Sequence, residues 1–135
     1  MPWLLIAVLA AHVLAAVFWA GSTFTMARLG ASGAERLFRS QMGAATVSVA
    51  TGAYLWLKLH EGAHSHTEMV LGVAAAAAVL AGPLQAAGGG PAIRTLAQGA
   101  GDQAALRARL AVVNRLAAAL LGVTIVGMAI ARYVA

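Results

Sequence analysis

The sequence contains no cysteine, which excludes disulfides, thiolate metal sites and iron–sulfur clusters. Charge is nearly as scarce. Only 10% of the residues are Asp, Glu, Lys or Arg, where a soluble domain averages about 25%. Acidic residues are rarest, four against nine Lys and Arg in 135 residues. No basic stretch precedes the first apolar run, MPWLLIAVLAAHVLAA, so it reads as a retained span rather than a cleavable signal peptide. No nucleophile–base arrangement, phosphate loop or dinucleotide fingerprint occurs in the sequence.

What remains is apolar. Hydrophobic residues make up 61% of the chain, and the mean hydropathy is +0.83. About 20 apolar residues are needed to cross a bilayer core. Four runs approach that length, at about 3–26, 41–59, 69–87 and 110–130. The expected fold is a single-domain, all-α, integral membrane antiparallel four-helix bundle, since short connections favour antiparallel neighbours. Arg28, Arg36, Arg39, Arg94, Arg107 and Arg109 fall in the first and third loops. The second loop and the termini carry only Lys58 and Arg132. The positive-inside rule then places both termini outside and the arginine loops in the cytoplasm, as in a bacterial inner membrane. The net charge of +5 is therefore read as topology, with the lipid bilayer and not nucleic acid as partner.

Local signals refine this outline. Gly30 and Gly33 should break the helix in loop one, and Glu35 with Arg39 has the spacing of a helical ion pair. Thr46, Ser48 and Thr51 in span two can bond to a neighbouring helix or back to their own. Gly82-Pro83 should kink or break span three, and Gly88 to Pro91, GGGP, should end it. Asp102 suits the N-cap of the helix leading into span four.

His12 is the ionisable group nearest the middle of an apolar run. With the N-terminus outside it lies about 15 Å into its span, and such a group is costly unless something binds or pairs with it. Imidazole is a usual axial ligand of haem iron, and a bundle interior is a usual haem site. The blander alternative is a neutral histidine bonded to Ser or Thr of a neighbouring span. Trp19 lies two turns on, close to the same face, and Thr23 and Met26 extend that stripe toward Arg28. A second cluster, His60, His64 and His66, could bind copper or another divalent metal. Its alternative is a solvated polar loop, with only Glu61 and Glu68 as further ligands. It lies about 15 Å above His12, so one haem held by His12 and His60 of the same chain is not expected. The arginines suit carboxylates such as porphyrin propionates, or simply mark topology and lipid headgroups. Arg115, after Asn114 inside an apolar run, either snorkels or lines a polar pocket. Met26, Met42, Met69 and Met128 form no motif and read as core filling.

The opening stretch HVLAAVFWAGSTFTMARL resembles the HemJ family of small four-helix membrane proteins. That resemblance rests on His12, Trp19, Ala20-Gly21 and Arg28-Leu29, and on a second span similar at Arg36-Leu37, Met42, Thr46 or Thr51, and Gly52. Asn114 and Arg132 extend the similarity into span four. The chain departs from the family pattern where span three opens with Glu68 and Met69 in place of a lysine, and where Arg115 follows Asn114 in place of Glu. The resemblance implies haem b binding and a protoporphyrinogen IX oxidase-type activity. His12 would be the iron ligand, Trp19 would pack on the porphyrin, and Arg28, Asn114 or Arg115 would meet its polar edge. The unit His12, Trp19, Gly21 also resembles the CopD copper-resistance family, which implies copper loading at His60, His64 and His66. A third expectation is a non-catalytic subunit whose Ala/Gly-rich faces pack in a larger membrane complex. Assembly as a homo-oligomer is compatible with each.

Overall fold

The computed structural model describes residues 1–60 and 65–134. Four helices follow one another: α1 (Pro2–Arg28), α2 (Ala34–Leu59), α3 (His66–Ala97) and α4 (Gln103–Ile130), with a 3-10 turn at Ala131–Tyr133. Among the described residues there is no strand. Each helix packs on its chain neighbours, and α4 closes the ring against α1. The tight connections make neighbours antiparallel, so the fold is an up-down-up-down bundle. α1, α3 and the continuous helix Gln103–Tyr133 are long and apolar enough to cross a membrane. α2 matches them in length, but its Ser, Thr, Gln and Arg residues leave it less apolar than the sequence reading assumed.

The helix ends follow local chemistry. After α1, Gly30 adopts φ 61° and the Ala31 N–H reaches back to the Met26 carbonyl at 3.0 Å, the 6→1 bond of a Schellman stop. Ala31 is itself left-handed, with φ 61°, and completely buried. Ser65 and Glu68 form a reciprocal capping box at the start of α3. Asp102 Oδ1 accepts from the Ala104 and Ala105 N–H groups at 3.1 and 3.3 Å, as its sequence position suggested.

The GGGP stretch does not end α3. The helix continues through Pro83 and Pro91 to Ala97, and stops where Gly99 turns left-handed at φ 66°. The glycines serve approach, not termination. A methyl at Gly88 would come within 3.0 Å of Val113, and one at Gly89 within 3.3 Å of Leu110. Bare backbone on α3 thus receives the branched side chains of α4. Arg109 Nε also donates to the Gly88 carbonyl at 3.0 Å, one turn before Pro91. At the far end Thr124 donates to the Ala74 carbonyl at 2.9 Å.

Two apolar clusters fill the bundle. One, at the arginine-bearing end, gathers Met26, Ala31, Ala34, Ala92, Ile93, Leu96 and Leu110. The other, further in, gathers Trp19, Ala20, Ala45, Ala81, Ala117 and Leu121. Alanine is the commonest residue in both, so the helices approach closely. Large apolar side chains such as Ile6, Leu9, Val13, Leu14 and Val17 instead cover the outside of α1, as expected where lipid is the solvent.

The expected Glu35–Arg39 pair does not form. Arg39 is exposed, and Glu35 turns to Arg107 of α4. The two guanidinium nitrogens meet the two carboxylate oxygens at 3.1 and 3.3 Å, and Nη1 also reaches the Ala31 carbonyl at 3.1 Å. The fork clamps loop one to α4, a better use of a planar guanidinium than a flexible pair along one helix.

Candidate functional site

Two polar arrangements lie inside the bundle, at different depths. The first is His12. It is half-buried against α2, and its Nδ1 lies 2.9 Å from the Ser48 carbonyl and 3.0 Å from Thr51 Oγ1. A carbonyl can only accept, so Nδ1 carries the proton. The Thr51 hydroxyl donates to the Val47 carbonyl at 2.6 Å, leaving its oxygen to accept from His12. In the neutral ring the lone pair is then on Nε2, which takes no protein hydrogen bond among the described residues. The imidazole lies over Gly52, where a methyl would come within 3.0 Å of Cε1. Gly52 is thus the notch that admits the ring.

The second arrangement lies about 10 Å further along α1 and joins all four helices. Trp19 Nε1 donates to Gln85 Oε1 at 2.7 Å. Gln85 Nε2 donates to Thr23 Oγ1 at 3.0 Å and to Asn114 Oδ1 at 3.2 Å. Gln41 Nε2 donates to Thr23 Oγ1 at 3.0 Å. The Thr23 hydroxyl donates to the Trp19 carbonyl at 2.7 Å, and Asn114 Nδ2 to the Leu110 carbonyl at 2.9 Å. The orientations of the Gln85 and Asn114 amides are forced. An indole only donates, so Oε1 of Gln85 must face Trp19 and its Nε2 must face the other way. A carbonyl only accepts, so Asn114 must turn Nδ2 to Leu110 and Oδ1 to Gln85.

The structure separates most of the residues that the sequence pointed to. The stripe Trp19, Thr23, Met26 is buried, but Arg28 beyond it is exposed. Arg28 is about 24 Å from His12 along the helix axis, further than one porphyrin spans. Trp19 is 1% exposed, with its donor engaged and its ring enclosed, so packing on a porphyrin does not fit this arrangement. Asn114 is buried in the network, whereas Arg115 is exposed. Neither joins His12. His60 stacks on Trp56, with ring centroids 4.6 Å apart, and its Nδ1 is buried with no partner among the described residues. His66 is exposed at the start of α3. His64 and Glu61 lie outside the described residues. Among the described residues no three His, Cys, Asp or Glu side chains gather as a metal site.

Gln41 and Gln85 were not singled out by the sequence reading. Gln85 was legible in principle, as a lone amide inside an apolar run, the same signal that marked Asn114. Gln41 stands at the edge of an apolar run, where an amide carries no such signal.

Outside the bilayer-facing segments, Glu35 titrates below the ordinary carboxylate value of 4.5, chiefly because Arg107 hydrogen-bonds its ionised form.

Comparison with protein-family models, curated proteins and solved structures finds no match to this chain.

Proposed function

We propose that this is a haem b-binding protein of a bacterial inner membrane, with His12 as the axial ligand and its arginine-bearing end in the cytoplasm. One observation carries the reading. The Nδ1–H is held by the Ser48 carbonyl and Thr51, so the ring is fixed with its Nε2 lone pair available. This is the outer-shell support that iron- and zinc-ligating histidines ordinarily have. The bundle interior beyond it is filled by Trp19 and alanine, so the group would lie at the α1–α2 seam toward the lipid. There a second copy of the chain can supply a second histidine. Bound haem would supply one-electron chemistry. His12 and its α2 partners would set its position, and the bilayer would exclude water. An oxidase-type activity on a tetrapyrrole remains part of this proposal through the HemJ resemblance, while Trp19, Arg28 and Arg115 are not assigned to the site.

The test is an absorption spectrum of the detergent-purified protein, oxidised and reduced. A Soret band is expected, lost in His12→Ala and broadened or shifted in Thr51→Val. A protein without a Soret band, or one whose band is unchanged in His12→Ala, would overturn the proposal.

A further inference from the structure

The central network is saturated on one side and unsaturated on the other. Trp19, Thr23 and Gln85 spend every polar hydrogen they carry. Gln41 does not. One Nε2 hydrogen goes to Thr23, while its second hydrogen and Oε1 find no protein partner among the described residues. Asn114 likewise uses one Nδ2 hydrogen on Leu110 and has a second to give. Both side chains are deeply enclosed, at 4% and 5% exposure. Both line the same part-open cleft among α2, α3 and α4, whose other walls include Phe38, Gly89, Ile93 and Val113. The cavity in it measures about 10 Å³, close to the least that holds one water.

We infer that this cleft binds one neutral hydroxyl oxygen, that of a water molecule or of the alcohol end of an amphiphile. The hydrogen-bonding capacity specifies the group. Two amide N–H donors, on Gln41 and Asn114, call for an oxygen that accepts. Gln41 Oε1 calls for the same group to donate. A hydroxyl does both. A ketone or ether oxygen, which cannot donate, would leave Gln41 Oε1 without a partner. No charged side chain lines the cleft, so an ion would enter uncompensated.

The full chain is purified in a detergent without hydroxyl groups, with the Gln and Asn side-chain amides labelled with ¹⁵N. NMR cross-relaxation between water and these amides is then recorded. The amides of Gln41 and Asn114 should contact water, and those of Gln85 should not. Adding 1-octanol, with octyl methyl ether as the control, separates the two sources. Replacement of the water contact by octanol but not by the ether assigns the alcohol. Persistence of the water contact assigns water alone. Gln41→Met should abolish the water contact at Asn114 while leaving the Gln85 amide signals in place. Absence of any water or octanol contact at Gln41 and Asn114 in the unsubstituted chain would overturn the inference, as would an ether as effective as octanol. Neither result depends on the variant folding.

Discussion

Replacing Gln85 by leucine removes the one residue that, among the described residues, bonds to α1 and α4 at once. Three hydrogen bonds disappear, to Trp19 at 2.7 Å, Thr23 at 3.0 Å and Asn114 at 3.2 Å. Their consequences differ. Thr23 Oγ1 keeps its second donor, Gln41. The Trp19 N–H and Asn114 Oδ1 are left enclosed and unpaired. A stranded buried group costs about 1–3 kcal/mol. Interhelical bonds within membranes average nearer 0.6 kcal/mol. Together these give an expected loss of about 2–4 kcal/mol for Gln85→Leu, with little cavity contribution because the side chains are similar in size. Reversible unfolding in mixed micelles, followed by circular dichroism, measures it. Trp19→Phe in the same background completes a double-mutant cycle. If the indole is stranded by Gln85→Leu, removing its N–H should recover about 1 kcal/mol, so the two losses should not add. A Gln85→Leu loss below about 0.5 kcal/mol, or strict additivity with Trp19→Phe, would refute the reasoning, since changes that small are typical of surface sites.

Gly127→Ala should destabilise by about 1–3 kcal/mol in the same unfolding assay, because the new methyl would lie 2.9 Å from the Ala74 Cβ. Gly72→Ala meets nothing within 4 Å and should be neutral or stabilise by about 0.5–1 kcal/mol. Asp102→Ala should cost about 1 kcal/mol through its lost cap bonds. Glu35 has a folded-state pKa below the ordinary 4.5. Its pairing therefore stabilises the fold fully above that value, and the contribution fades as pH falls through the lower folded value. Both partners are partly exposed, at 35% and 29%, which limits the contribution to under about 1 kcal/mol. Stability measured from pH 6 to pH 3 should fall more steeply in the unsubstituted chain than in Glu35→Gln.

The helices were legible because apolar runs and capping residues are local signals. Gly30, Gly33 and Asp102 act at the ends where their backbone or side-chain chemistry placed them. GGGP misled because glycine has two uses. Read along the chain it is a helix breaker, and only the presence of Leu110 and Val113 opposite shows that it is a groove. Glu35 misled for a related reason. Its local partner Arg39 sits at the right spacing, but Arg107, distant in sequence, offers a bidentate fork. At the candidate site, the blander expectation for His12, a bond to the hydroxyl-bearing span, is realised at Nδ1. It does not consume Nε2, so the ligand reading is still available. The amide network was not legible as a whole, because the partnership of Trp19, Gln41, Gln85 and Asn114 depends on how four helices pack.

The network that registers the four helices is built from an indole, a hydroxyl and three carboxamides. None of these groups gains or loses a proton near neutral pH. An uncompensated charge at that depth would respond to membrane voltage by about 2.3 kcal/mol per 100 mV. A chain of neutral dipoles carries no such handle. The helices should therefore hold the same alignment whether the membrane is energised or collapsed, and at any pH a cell maintains. The charged pair of Glu35 and Arg107 lies at the rim instead, where loosening one loop does not disturb the alignment beneath it.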